Sequence, residues 1–290
     1  MTDHQAAGSL PISAVVIAQD AAAHIATTLA SVSRCGERLV LDSGSTDDTV
    51  AIARRAGARV EHQAFLGYGP QKCRAVELAT HDWILSLDAD EELDDEAQRS
   101  LETLDLSDPD ACFGLRRRTF IGGREVRHGP WGNDVVLRLF NRRTAGFKPL
   151  PVHEVVVAAR RPRILPGSIL HHSYTACADV IARSLRYAPL KAAIMRRKAQ
   201  RPSALLLPVR AVGAFVKCYL WQGGFRDGAD GFVVALARVL DSTLPRALLL
   251  SDETAASTGD QPAAARNAES IASMSAGSGA ANVTRDPEAG

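Results

Sequence analysis

Short apolar runs alternate with amphipathic stretches through the first hundred residues. Residues 12–18 (Ile-Ser-Ala-Val-Val-Ile-Ala) read as a fully buried strand. Ile25, Leu29 and Val32 then recur at helical spacing and predict a helix over 22–33. Residues 39–41 form a second strand that ends in Asp42-Ser43-Gly44-Ser45-Thr46-Asp47-Asp48. Ser45 and Asp48 stand at capping-box spacing, so the next helix is expected to start there and close at Gly57. A third strand over 59–63, a Gly-rich loop over 65–70 and a helix to Ala79 lead into the strand Trp83-Ile84-Leu85-Ser86-Leu87. Leu93, Ala97, Leu101 and Leu104 mark another helix. Strands and helices alternating on short links predict an α/β fold, with a mixed, mostly parallel sheet flanked by helices on both faces.

Two of the predicted strands end in acids: Asp42 after the second, Asp88-Ala89-Asp90-Glu91-Glu92 after the central one. In open α/β sheets that edge is where ligands bind. Asp88 and Asp90 are two apart, which on an extended chain puts both on one face. Paired hard oxygens beside a phosphate suit Mg2+ or Mn2+. The same acids also suit the first turn of a following helix, and Asp42 suits a turn held by its own backbone.

Length and composition add bounds. A chain of 290 residues, 46% hydrophobic, can bury a full core. Its five cysteines are odd in number and widely spaced, with no CxxC, so neither a zinc site nor a disulfide framework is indicated. No basic segment followed by an apolar one opens the chain, so no signal peptide is expected. The expected organisation is a leader over 1–10, a catalytic domain over 11–175, a basic amphipathic helical region over 176–250 and a disordered tail over 251–290.

The runs at 12–17, 40–47 and 82–91, with Val135-Val136-Leu137-Arg138-Leu139-Phe140, Val152-His153-Glu154 and Leu170-His171-His172-Ser173-Tyr174, together resemble the family-2 glycosyltransferases of GT-A fold. The resemblance is nearest the bacterial lipopolysaccharide-core β-glucosyltransferase type and covers roughly residues 12–250. It implies an inverting transfer from a nucleotide sugar, commonly a UDP-sugar, assisted by Mg2+ or Mn2+. By the same resemblance Asp42 contacts the nucleoside, Asp88 is the ribose-side acid and Asp90 the metal-binding acid of a DxD motif. Lys72 is assigned with Asp42 and Asp88 to the nucleotide sugar, and His171 to the metal or diphosphate. Glu154 matches the catalytic base, with Asp134 as the alternative and His153 as an acceptor contact. Two departures stand out: Gln19-Asp20-Ala21 where the family usually has Lys-Asn-Glu, and Cys73 where it often has Asn.

Residues 113–148 are where such enzymes build the acceptor pocket. Arg116, Arg117, Arg118, Arg124, Arg127, His128 and Trp131 cluster there, and Arg118, His128 and Trp131 are the candidate acceptor contacts. Arginine forks match phosphate and carboxylate groups and an aromatic face suits a sugar ring, so a lipid-linked acidic saccharide fits; a solvated basic hairpin fits equally. Between Val180 and Arg226 there are ten Lys and Arg and no acid, interleaved with aliphatic and aromatic residues. Pro208, Arg210 and Lys217 interrupt the longest apolar run, which favours a segment lying on an anionic membrane surface over a spanning helix. A helical pair packed on the catalytic domain, or a dimer interface, is the plainer reading, and the membrane surface is preferred to it. No nucleic-acid reading motif accompanies the charge. The expected place is the cytoplasm, peripheral on the inner face of a bacterial inner membrane.

A sugar-1-phosphate nucleotidyltransferase would carry a basic Gly-rich loop after the first strand, absent around 18–23, and a haloacid-type phosphatase would carry its DxD near the N-terminus. The remaining alternative is a nucleotide-sugar-binding protein, or a degenerate glycosyltransferase, without turnover.

Overall fold

The computed structural model describes residues 9–148 and 156–258. In chain order the first elements are β1 (Leu10–Ala18), α1 (Ile25–Ser31), β2 (Cys35–Asp42), α2 (Thr49–Arg55), β3 (Arg59–His62), α3 (Tyr68–Leu78) and β4 (Trp83–Asp88). These strands lie in the order β3-β2-β1-β4, all parallel. Both faces of that half-sheet are covered, which is why its strands are apolar without alternation. Ile12, Ala14 and Val16 face Ile25 and Leu29 of α1, while Val15 faces Ala75 of α3 on the other side.

The chain then forms β5 (Glu91–Leu93), α4 (Asp95–Glu102), β6 (Cys112–Ile121), β7 (Arg124–Val126), β8 (Asp134–Asn141), β9 (Gly146–Phe147), β10 (Val156–Val157) and β11 (Arg163–Tyr174). The sheet continues as β4-β8-β6-β11-β5, with β7 on β6 and β9 and β10 as a separate pair. Here β8 runs antiparallel to both neighbours and β6 runs parallel to β11. The expected α/β class, a mixed sheet flanked by helices and followed by C-terminal helices, is what the chain forms.

Several local expectations are corrected. Leu93 belongs to β5, not to a helix, because residues 91–93 pair antiparallel with β11 (His171 opposite Glu91, Ile169 opposite Leu93). The helix begins after Asp94, whose carboxylate accepts the Ala97 N–H at 2.9 Å. The acid that caps is therefore Asp94, leaving Asp88, Asp90 and Glu91 to other partners. α2 starts at Thr49 rather than Ser45, since the Ser45 hydroxyl turns back to Asp42 at 2.5 Å. Close packing of α4 on β11 depends on Gly167, at φ +83°, where an added Cβ would stand 2.1 Å from the Ala97 nitrogen.

Among the described residues two compact units divide the chain, one up to Cys177 with Gln222–Gly231, the other Ala178–Trp221 with the residues from Phe232 on. The second unit holds most of α5 (Cys177–Arg197), all of α6 (Leu207–Val216) and most of α7 (Gly228–Thr258). Pro208 sits in the first turn of α6, where a missing N–H costs nothing, so it begins that helix instead of breaking it. Residues 204–221 form one helical stretch long and apolar enough to cross a membrane by length and composition. α7 runs to Thr258, so residues 251–258 are helical where a tail was expected. Among the described residues all five cysteines are free thiols.

Candidate active site at the acidic sheet edge

The parallel register puts the ends of β2 and β4 on either side of the end of β1: Asp42 lies opposite Ala18 and Asp88 opposite Ile17. Asp42 is buried and accepts from the Ser45 hydroxyl and from the Gly44 and Ser45 amides at 2.9–3.1 Å. Burial raises its proton affinity, but these hydrogen bonds outweigh burial and hold its carboxyl below the usual range. The loop after β1 is clasped to the same turn: Asp20, at φ +48°, accepts the Thr46 N–H at 2.7 Å while its own N–H reaches the Ser45 hydroxyl at 2.9 Å. Asp tolerates that left-handed conformation better than most residues, so the Gln19-Asp20 departure is built into the turn. Cys73, the second departure, is half-buried with its thiol 3.4 Å from the Phe147 carbonyl.

Asp88 is engaged by two buried cations. The Lys72 ammonium donates to its Oδ1 at 2.7 Å and the Arg138 guanidinium to its Oδ2 at 2.9 Å. Burial alone would push the Asp88 carboxyl up; the Lys72 and Arg138 charges hold it well below the usual carboxylate range. Arg138 also donates to Glu91 at 2.5 Å, and Glu91 is wholly buried, with Arg117 3.5 Å away and the Asp88 N–H on its other oxygen. Burial works against the Arg138 charge, but the two carboxylates keep it firmly protonated. Its Nε is buried without a hydrogen-bond partner.

Asp90 does not share a strand face with Asp88, because β4 stops at Asp88 and residues 89 and 90 form a tight turn into β5. The turn redirects Asp90 toward β11. Its carboxylate contacts the Ser173 hydroxyl and lies 3.7 Å from His171 Nε2; Ser173 bridges the two. Burial lowers the proton affinity of His171 against the opposing pull of Asp90 and Glu91, so its imidazole is neutral near pH 7. His172 points elsewhere, stacked on Phe120 at 4.9 Å and on His24 at 5.9 Å. A carboxylate and an imidazole thus lie side by side here; no group of three or more His, Cys, Asp and Glu that could hold a metal occurs among the described residues.

The basic stretch over β6, β7 and the residues after them is largely balanced by carboxylates. Arg118 forks onto Glu125 at 2.8 and 2.9 Å, with Arg127 on the same carboxylate at 3.0 Å. Arg124 pairs with Asp230 at 2.7 Å, and the His128 ring meets Asp227 at 2.9 Å. Trp131 stacks on Tyr174 at 5.4 Å. Asp134, at the start of β8, gives one oxygen to the Arg117 fork at 2.6 and 2.8 Å. His153 and Glu154 lie outside the described residues.

The structure thus brings together Asp42, Lys72, Asp88, Asp90 and His171, and adds three residues that the sequence reading assigned no role: Arg138, Glu91 and Ser173. The signal for Arg138 was present, since an arginine at an inward position of Val-Val-Leu-Arg-Leu-Phe needs a buried partner.

Residues 13–161 match the model of a family described as glycosyl transferase family 2. An uncharacterized glycosyltransferase of Rickettsia felis is 32% identical over 83% of this chain and 92% of its own length. The lipopolysaccharide core biosynthesis glycosyltransferase LpsC of Rhizobium meliloti is 30% identical over 78% of this chain and 87% of its own. A crystal structure of glucosyl-3-phosphoglycerate synthase from Mycobacterium tuberculosis, with Mn2+, UDP and glucosyl-3-phosphoglycerate, is 27% identical over 38% of this chain and 44% of that one. Its TM-score is 0.31, an overlap on which no further step rests.

Proposed function

Since the chain belongs to glycosyl transferase family 2, we propose that it moves a hexose from a nucleotide-diphosphate sugar, in the first instance a UDP-hexose, to a saccharide acceptor of the bacterial cell envelope, with inversion at the anomeric carbon. The observation that carries this reading is the convergence at one sheet edge of Asp42, Asp88, Asp90 and His171 around the ends of three parallel strands. Ligands of open α/β sheets sit at that edge.

In this reading Asp42 accepts from the nucleoside. Its amide and hydroxyl partners fix it as an anion, so it needs no reorganisation when the donor arrives. Asp88, held from behind by Lys72 and Arg138, presents a fixed carboxylate to the ribose hydroxyls. Asp90 and His171 would hold Mg2+ or Mn2+, the donor phosphates completing the coordination as is usual for these ions. That cation supplies Lewis-acid neutralisation of the departing diphosphate. A carboxylate on the far side takes the acceptor proton; Glu154 is the proposed base from the family resemblance and Asp134 the alternative. The name of the Rhizobium relative, a lipopolysaccharide core biosynthesis glycosyltransferase, supports an envelope acceptor; in this reading the acceptor is a lipid-linked acidic saccharide, reached from the cytoplasmic face of an anionic inner membrane.

Calorimetry with UDP, GDP and their sugar conjugates, with and without Mn2+, tests the reading on wild type and Asp90→Ala. Mn2+-dependent binding of a nucleotide sugar is expected, weakened at least about tenfold in the variant. Undiminished Mn2+-dependent binding in Asp90→Ala would remove Asp90 from the site. Donor binding without transfer to any acceptor would turn the assignment to a nucleotide-sugar-binding protein.

A further inference from the structure

The second unit carries an apolar stripe that no described residue of it covers. On α6, Val209, Val212 and Val216 fall at i, i+3 and i+7, within about 60° of arc, and are 66%, 63% and 40% exposed. Leu205 precedes the stripe and Leu220 and Trp221 follow it, Leu205 and Trp221 being almost fully exposed. A neighbouring flank of the same stretch is packed: Phe215 and Tyr219 meet each other at 5.2 Å and Phe232 of α7 at 5.7 and 5.8 Å, with Cys218 buried. One flank of the stretch is thus packed and the rest is open, Cys218 being its one buried residue.

Charge identifies what the open face meets. Arg210 and Lys217 are exposed, seven residues apart and so on one flank of the stripe. The whole stretch from Val180 to Arg226 contains ten basic residues and no acid. Asp241 of α7 is paired with Lys191 at 2.7 Å and Arg238 at 3.5 Å. A second copy of this chain would oppose like charge with like; a surface of anionic lipid would complement it and take the aliphatic side chains and Trp221 into its headgroup boundary.

We propose that residues 204–221 form an in-plane anchor on anionic lipid, with Leu205, Val209, Val212, Val216 and Trp221 entering the headgroup and acyl boundary while Arg210 and Lys217 bind lipid phosphates. This deepens the membrane contact of the proposed function by naming its element and orientation.

The test uses the full chain and vesicles of phosphatidylcholine with or without phosphatidylglycerol, with no nucleotide or sugar present. Sedimentation with the phosphatidylglycerol vesicles is expected, reversed by high salt. Val212→Glu, and separately Arg210→Glu with Lys217→Glu, should each weaken it at least about tenfold with unchanged circular dichroism. Trp221 emission should shift to the blue on binding, read as the difference between wild type and Trp221→Phe. Asp90→Ala should sediment like wild type, so a failed anchor and a failed donor site are told apart. Sedimentation with neither vesicle, or equally with both, would overturn the proposal. So would carbonate-resistant binding with Trp221 quenched from the bilayer centre, which means a span, or a Val212→Glu effect confined to splitting a dimer in light scattering.

Discussion

Arg138→Met tests whether the buried charge network behind Asp88 holds the sheet edge together. The substitution removes a guanidinium that donates to Glu91 at 2.5 Å and to Asp88 at 2.9 Å, and it leaves a side chain of similar length in an apolar strand. Asp88 keeps Lys72 at 2.7 Å, whereas Glu91, fully buried, keeps among the described residues only Arg117 at 3.5 Å as an ion-pair partner. Removing one partner of a buried pair costs about 3–5 kcal/mol, mostly by stranding the other charge. Because Arg117 partly compensates, a loss of about 3 kcal/mol is expected from urea unfolding followed by circular dichroism, read as a lower midpoint at constant slope. Glu91→Gln alone should cost about 1–2 kcal/mol, since Arg138 retains Asp88. Combined, the two changes should recover about 2 kcal/mol relative to their sum, because the stranded carboxylate is gone. A loss under about 1 kcal/mol for Arg138→Met, or strict additivity in the double variant, would refute the reasoning.

Acid stability follows from Glu37. Burial pushes its carboxyl up, but hydrogen bonds from Ser13, Thr80 and Arg59 outweigh burial and bring it to about 2, from an ordinary 4.5. A depressed folded value means stability that is present above pH 4.5 and lost as pH falls toward 2. Solvent screening limits its share to about 1–2 kcal/mol, and Glu37→Gln should flatten the urea midpoint against pH over that window; an unchanged slope would sink the idea. Gly167→Ala should destabilise by at least about 2 kcal/mol, because the position combines φ +83° with an approach of 2.1 Å to the Ala97 nitrogen. An unaltered melting temperature in that variant would show that α4 does not rest on β11 as described.

Much of the fold was legible along the chain. The apolar runs at 12–18, 39–41 and 83–87 are short and bounded by acids or turns, which specifies buried parallel strands and places Asp42 and Asp88 at the ends of the second and third. Those are local properties, decided by side-chain period and by where the apolar run stops. What the chain could not announce is pairing between distant segments. Residues 91–93 carry an ambiguous pattern, and only their alignment against β11 makes them a strand, turns Asp90 out of line with Asp88 and sets His171 opposite Glu91. Arg138 lies 50 residues from Asp88 and 47 from Glu91, so their union depends on β8 closing antiparallel on β4. The arginines of β6 and β7 likewise read as an open basic surface until folding brought Glu125, Asp134 and Asp230 against them. Sequence by itself determined which residues are strand, helix and acid-tipped edge. Tertiary structure decided which charges remain for a ligand, because a charge is neutralised by its neighbours in space and only rarely by its neighbours along the chain.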